Sequence, residues 1–326
     1  MRLESLAYLC GAELKNSPQI NKISGFCHEA EKVKRGDLFL AKDKKGIEIA
    51  LRNGAYGIMF EGWTQIRDSE IGWLKCDDLQ ECAKRLLRFF MIQNRTILVE
   101  LSSIQKEIAQ TVINSKEALF AKKCYVTTLC DFFKQEPKIV ILASKSQKSE
   151  LNLDTHTPTA PAVQEAKIVN MKLFESSFVL FDRYYENLKI SPLFLNDALK
   201  VAKLFEENYI GYGLKAMENF GHFRPFFLNS DMSVADFGST QKVVILEPDS
   251  SVAPAARDFL RENARWAKRL YISKSGISGF LKESRFDKIK EILYNQNFTF
   301  ALVHHDNFDV YALRREKVEK RLLQGD

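Results

Sequence analysis

The sequence predicts an α/β protein of three units: a small N-terminal α/β domain (residues 1–92), a central α/β domain (95–218) and a C-terminal Rossmann-like α/β domain (219–326). Three observations carry this. At 326 residues the chain is too long for one comfortable core. Short apolar runs of strand length alternate with segments whose apolar residues recur at helical spacing, which is the pattern of mostly parallel sheets with helices outside. Gln93-Asn94-Arg95 marks one boundary, and the last unit starts near Phe220.

The N-terminal segment opens with a helix carrying Leu3, Leu6 and Leu9, followed by a strand near Lys22–Cys27. Arg35-Gly36 reads as a turn entering a strand over Asp37–Ala41. Ile47, Ile49, Ala50 and Leu51 mark a helix that ends at Asn53-Gly54, a C-cap signal. Tyr56–Phe60 and Trp73–Cys76 are apolar strands. The clearest helix follows. Asp78 and Glu81 have capping-box spacing, and Leu79, Cys82, Ala83, Leu86, Leu87 and Phe90 form a single apolar face.

The second segment begins with a buried strand over Thr96–Leu101, and then Ser102 or Ser103 caps a helix, with Gln105 placed for a capping box. Val126–Phe133 fits helix or strand, and Ile139–Ala143 is a short strand. Ser144 to Gln164 is polar, contains Pro158 and Pro161, and is expected to be a loop or mobile connection. Ser177–Phe181 and Tyr184–Ile190 flank Asp182-Arg183 as a hairpin, and Leu195, Ala198, Leu199, Ala202 and Phe205 mark a helix. In the last segment Phe223–Leu228 and Met232–Phe237 are expected to pair as a hairpin around Asn229-Ser230-Asp231. Val243–Leu246, Lys268–Ser273, Phe298–His304 and Phe308–Leu313 are expected strands, with helices over Pro254–Ala267 and Phe286–Leu293.

The composition excludes several classes. A net charge of +6 is a mild excess, with short basic clusters at Lys42, Lys44 and Lys45 and at Lys317, Lys320 and Arg321, and no nucleic-acid motif accompanies it. A basic surface also attracts anionic ligands such as a nucleotide sugar. The six cysteines form no CxxC pair and are not spaced with the histidines as metal ligands, so packed thiols in a reducing cytoplasm are expected and no metal site is. No apolar run approaches the roughly 20 residues of a membrane span, and the start lacks signal-peptide character.

The segment VKRGDLFLA, followed by a helix and NGAYGIMF, is similar to the N-terminal domain of Mur ligases, which hold the uridine nucleotide of a peptidoglycan precursor there. It most resembles the D-Ala-D-Ala-adding and tripeptide-stage members. Val33, Gly36, Asp37, Leu38 and Phe39 match the family pattern. Glu29, Ala30 and Glu31 stand where that pattern has Asp-Ser-Arg, and the following loop is cut to Lys42–Gly46. The stretch from Phe178 to Phe205, with Asn196, Ala198 and Ala202, resembles a second family block. A third, from Phe220 onward, has Gly221-His222 where the family has Gly-Arg, and Asp236 stands at the aspartate of a second motif. The resemblance implies three Mur-ligase-like units with a reduced central domain.

The family phosphorylates a carboxylate with ATP and lets an amine displace the phosphate. Its glycine-rich loop sets bare N–H groups, a lysine and a Mg²⁺-holding hydroxyl against the phosphates. Here no glycine occurs between Gly72 and Gly211. At the corresponding strand-to-helix turn stands Leu101-Ser102-Ser103-Ile104-Gln105-Lys106-Glu107. Ser102, Ser103 and Lys106 are the nucleotide-binding candidates, against an ordinary serine-capped turn with Lys106 on the surface. Glu107 replaces the hydroxyl and would repel phosphate at close range.

His222 and Arg224, two residues apart on a strand face, could take an anion or lie on a solvent face. Asp236 is a ligand candidate by resemblance alone. Glu175 is expected to be an exposed strand-end carboxylate. His304-His305 point to opposite faces of a strand and so do not share a metal easily. No catalytic residue is assigned. The expected function is a divergent Mur-ligase-like protein without ATP-dependent ligation, acting as a cytoplasmic binding, scaffold or regulatory protein in peptidoglycan metabolism. Its expected partners are a UDP-muramyl precursor or cell-wall enzymes. Two alternatives stay open: an active ATP- and Mg²⁺-dependent amide ligase with a remodelled site, and a basic nucleic-acid or anion-binding protein.

Overall fold

The computed structural model describes residues 1–314. The basic cluster at Lys317, Lys320 and Arg321 lies outside the described residues. The described residues divide into two compact units, one of residues 1–160 and 200–213, the other of residues 161–199 and 214 onward. The boundaries expected at 92–95 and 218–219 do not coincide with this division.

The first unit carries two sheets. Helix α1 (Leu3–Cys10) leads to β1 (Glu13–Leu14), β2 (Gly25–Cys27), β3 (Asp37–Ala41), α2 (Lys45–Arg52), β4 (Gly57–Glu61) and β5 (Gly72–Cys76). These strands form a sheet in the order β1-β5-β4-β3-β2, parallel except for β1. Gly57 and Gly72 pair across β4 and β5; a Cβ at Gly72 would strike the fully buried side chain of Leu3, and one at Gly57 would strike Leu38 and crowd Leu3. Glycine at this pair lets the opening helix lie down on the sheet.

The second sheet follows helix α3 (Leu79–Gln93). It is built from β6 (Ile97–Val99), α4 (Ser103–Val112), β7 (Ala118–Phe120), α5 (Tyr125–Gln135), β8 (Ile139–Ile141), α6 (Ser146–Leu151) and β9 (Thr155–His156), with the strands all parallel in the order β7-β8-β6-β9. Asp78 caps α3 by accepting from Gln80 N at 2.7 Å and Glu81 N at 3.1 Å. Glu81 does not complete the box, because its carboxylate is taken by Lys84 and Arg85.

Two segments are decided by their packing, one whose sequence fits helix or strand and one expected to be a loop or mobile connection. Val126–Phe133 is helical: Tyr125, Val126, Leu129, Cys130 and Phe132 bury one face in the same core as α3, and the Thr128 hydroxyl bonds back to Cys124 O. Tertiary burial overrides the β-branched run. The polar segment after Ala143 is partly ordered because the buried Gln147 amide accepts from Ala143 N and donates to Lys122 O, each at 2.8 Å.

The second unit starts with β10 (Ala166–Met171), β11 (Ser176–Leu180) and β12 (Arg183–Leu188), an antiparallel sheet whose last two strands are the expected hairpin. β10 is almost wholly exposed and carries no periodic apolar signal. Helix α7 (Pro192–Glu207) belongs to this unit up to Leu199 and to the first unit from Lys200.

The remaining elements are β13 (Arg224–Leu228), β14 (Lys242–Leu246), α8 (Ala253–Asn263), β15 (Arg269–Ser273), β16 (Leu281–Lys282), α9 (Phe286–Asn295) and β17 (Phe300–His304). Their sheet order is β13-β14-β17-β15-β16, parallel apart from β13. The hairpin expected with 232–237 does not form. Met232 turns at φ 64° and only Val234 bridges back to Leu228, while β13 pairs along its length with β14. Residues 311–313 form a 3-10 turn and not a terminal strand.

Leu86 on α3 is fully buried in the core that both sheets of the first unit share. Leu86→Ala is expected to destabilise the protein by about 2–5 kcal/mol. Urea unfolding, read as a drop in midpoint without a change of slope, checks this.

Candidate functional site

The turn from β6 into α4 lies at the carboxyl edge of a parallel sheet, the usual place for ligands in α/β folds. Here it is bonded inward. Ser102 is the N-cap at φ −65° and ψ 165°, an ordinary extended conformation. Its hydroxyl accepts from Gln105 N at 3.2 Å, and the Gln105 side chain accepts from Ser102 N at 3.2 Å. This reciprocal box occupies donors that a phosphate cradle would present. Ser103 begins the helix and is exposed.

Lys106 is not a free surface lysine. Its ammonium reaches the carbonyl oxygens of Leu142 and Ala143 at 3.4 and 3.5 Å, just past the end of β8. Burial holds its pKa below the usual lysine value. Seven residues of the glycine-free interval do adopt positive φ: Arg95, Glu136, Asn152, Phe181, Asp182, Asn187 and Tyr209. The chain thus makes left-handed turns without glycine elsewhere, but uses none between Glu100 and Lys106.

The second unit holds a cavity of about 210 Å³. Its walls come from the end of β12, the start of α7, the 3-10 turn at 214–219, and β13 with its approach. His222 and Arg224 both line it, while Asp236 does not, although its neighbours Ala235 and Phe237 do. Asp236 is exposed and closes a local turn through its carbonyl, which accepts from Ser239 N and Oγ.

The expectation that His222 and Arg224 share one solvent face is corrected. β13 starts only at Arg224, and Phe223 turns at φ 48°, so His222 points inward while Arg224 stays exposed. His222 is 6% exposed and its Nδ1 lies 2.7 Å from Oε1 of Glu247, which is fully buried. With a carboxylate as partner, Nδ1 carries the proton.

Glu247 also accepts from Phe223 N at 3.0 Å and Asp249 N at 2.9 Å, and its carbonyl takes the Nδ1 proton of buried His304 at 3.0 Å. Partial burial opposes charge on the Asp249 carboxyl. The Ser251 N–H and hydroxyl and the nearby His222 and His304 outweigh it and keep that pKa below the usual range. Glu247 was not singled out from sequence. Its signal was present, a carboxylate directly after the apolar strand Val243–Leu246.

His304 and His305 are held by different partners, Glu247 O and Ser284 O. Glu175 is half-buried and pairs with Lys172. Among the described residues there is no group of three or more His, Cys, Asp or Glu side chains arranged to hold a metal ion, and no helix is long and apolar enough to cross a membrane.

No protein-family model matches the chain, and no curated protein does. Among solved structures it is similar to the MurF ligase of Thermotoga maritima in complex with ADP, with a TM-score of 0.49, 13% identity, and coverage of 91% of this chain and 96% of that one. It is also similar to the UDP-N-acetylmuramoylalanyl-D-glutamyl-2,6-diaminopimelate–D-alanyl-D-alanyl ligase of Acinetobacter baumannii, at a TM-score of 0.44 and 9% identity, covering 96% of each chain. The UDP-N-acetylmuramate-alanine ligase MurC of Thermotoga maritima follows at 0.32 and 9%, covering 85% of this chain and 90% of that one.

Two predictions follow from this geometry. Glu247→Ala strands the Nδ1 proton of His222 and two backbone N–H groups in the interior. It is expected to cost about 3 kcal/mol or more in urea unfolding, well above an exposed control such as Glu218→Ala. Cysteine reactivity provides the other. Five of the six cysteines are buried, and Cys124 is partly exposed at the N-cap of α5. Burial alone would raise its pKa, but the Thr127 hydroxyl and N–H, the Gln80 amide and the Lys42 charge hold it below the usual thiol value. The Cys82 thiol and burial push Cys10 up; the Cys10 thiol lowers Cys82, but the Cys76 thiol and burial outweigh it and push Cys82 up; burial and then the Cys27 thiol push Cys130 up. With Ellman's reagent at neutral pH, the folded protein is expected to give a single fast thiol, lost in Cys124→Ser.

Proposed function

We propose that this chain is a divergent Mur-ligase-like protein that binds a ligand or partner of peptidoglycan metabolism and does not carry out ATP-dependent ligation. The observation that supports this best is the turn at Ser102–Lys106. Phosphoryl transfer needs outward N–H groups and a lysine reaching the β/γ-phosphates. In this chain the Ser102–Gln105 box takes up cap donors at that turn, and Lys106 rests on the carbonyls of Leu142 and Ala143. Opening the site would require breaking the box and withdrawing Lys106 before phosphate is bound.

The retained VKRGDLFLA segment supports a precursor-binding role. It forms the turn at Gly36, the strand β3 and the surrounding core much as an intact scaffold requires. The altered residues Glu29 to Glu31 and the short Lys42–Gly46 connection change the face around it. A UDP-muramyl precursor or a cell-wall enzyme is the partner this reading names, with a cytoplasmic location.

The test uses the purified full chain with ATP, Mg²⁺, a UDP-muramyl peptide and D-Ala-D-Ala. No phosphate release above the no-enzyme control is expected, and Lys106→Ala should change nothing in this assay. Release that depends on Lys106 would overturn the reading. In a thermal-shift screen UDP-muramyl peptide is expected to raise the melting temperature, since a ligand that binds only the folded state stabilises by RT ln(1 + [L]/Kd). ATP–Mg²⁺ is expected to leave it unchanged.

A further inference from the structure

We propose that the cavity of the second unit is a binding site for a small single-ring carboxylate. The proposal deepens the binding reading above and rests on it only in giving that activity a ligand.

Size sets the first limit. The cavity measures about 210 Å³. An engineered cavity of roughly 150 Å³ suffices for benzene. The space therefore takes one ring with a short substituent, and is too small to enclose a whole nucleotide.

The walls set the ring preference. Phe174, Phe194, Phe220 and Phe227 line the cavity and already meet one another edge to face. Phe194 and Phe220 have ring centroids 5.2 Å apart at 80°, and Phe174 and Phe227 are 6.1 Å apart at 84°. Such walls present both ring edges and faces to a further aromatic group.

Charge sets the substituent. Two cations, Lys189 and Arg224, line the cavity, with Glu218 as the one acidic residue among them. Lys189 Nζ stands 5.1 Å from the Phe237 ring centroid and the Arg224 guanidinium 5.1 Å from that of Phe226. Among the described residues neither cation is paired with a carboxylate. Each is placed by a ring and retains N–H donors for an anion. The Ser191 hydroxyl on the same wall is already used, donating to Leu173 O and accepting from Leu193 N. His222 is held by Glu247 behind the wall and the Tyr311 hydroxyl is neutral, so the charge on the lining comes from Lys189 and Arg224 against Glu218 alone, a balance that favours a monoanion.

The test titrates the full-length protein with benzoate and with benzamide, its uncharged isostere, by calorimetry or ligand-observed NMR. Benzoate is expected to bind with a Kd on the order of 1 mM or tighter, and benzamide at least about tenfold more weakly. Arg224→Gln and Lys189→Gln change exposed side chains, so both variants should fold. Each is expected to weaken benzoate several-fold without altering benzamide. Absence of benzoate binding, equal binding of the two probes, or wild-type affinity in both variants would each overturn the proposal. ATP turnover with benzoate selectivity intact would remove the non-ligase reading and leave this site standing.

Discussion

Burial of helix α3 is the constraint on which the first unit depends. Its apolar face, from Leu79 through Leu86 to Met91, packs in one core with Leu3 and Leu6 of α1, with Leu38, Met59 and Leu74 of the first sheet, with Val126 and Leu129 of α5, and with Val140 of the second sheet. A helix that packs against two sheets at once fixes the edge positions of both. The turn at Ser102 therefore emerges at a defined place beside the carbonyls of Leu142 and Ala143. One continuous core also explains why residues 1–92 and the following sheet group into a single unit, where polar punctuation at Gln93–Arg95 suggested a domain boundary.

The absence of glycine between Gly72 and Gly211 acquires a local meaning. It does not bar left-handed turns in that interval, since Asn152, Asp182 and five other residues make them. At the one turn where phosphate would be expected, the backbone is extended and the cap is closed on itself. The physical difference is in where the donors point. The capping box satisfies the N–H groups of Ser102 and Gln105 internally, and the same satisfaction removes those two donors from a ligand.

In the second unit the organising interaction is Glu247. A fully buried carboxylate is costly unless its lone pairs are filled, and here the His222 ring and two backbone N–H groups fill them. These contacts draw the chain at 222–223 inward, bring β13 alongside β14, and leave Arg224 facing out. The cavity wall is thus a consequence of one buried histidine–glutamate hydrogen bond behind it. The positive φ at Phe223 is the backbone change that this arrangement requires.

Periodicity and caps in the sequence determined α1, α3, α4, the strands β2 to β5 of the N-terminal sheet, the hairpin of β11 and β12, and the parallel strands β14, β15 and β17. These are local properties: a 3.6- or 2-residue repeat, a serine or aspartate before a helix, a glycine after one. The same local reading placed Ser102, Ser103 and Lys106 at a single turn and showed that this turn lacks glycine. Tertiary structure alone decided the rest. α5 became a helix because a shared core buried one face of a β-branched run. The polar segment after Ala143 became ordered through one buried glutamine, and β13 took β14 as its partner in place of residues 232–237. Lys106 found carbonyls 36 and 37 residues away, and His222 found a carboxylate 25 residues away. Contacts at such separations leave no periodic trace in a single chain, because they depend on which faces the core brings together.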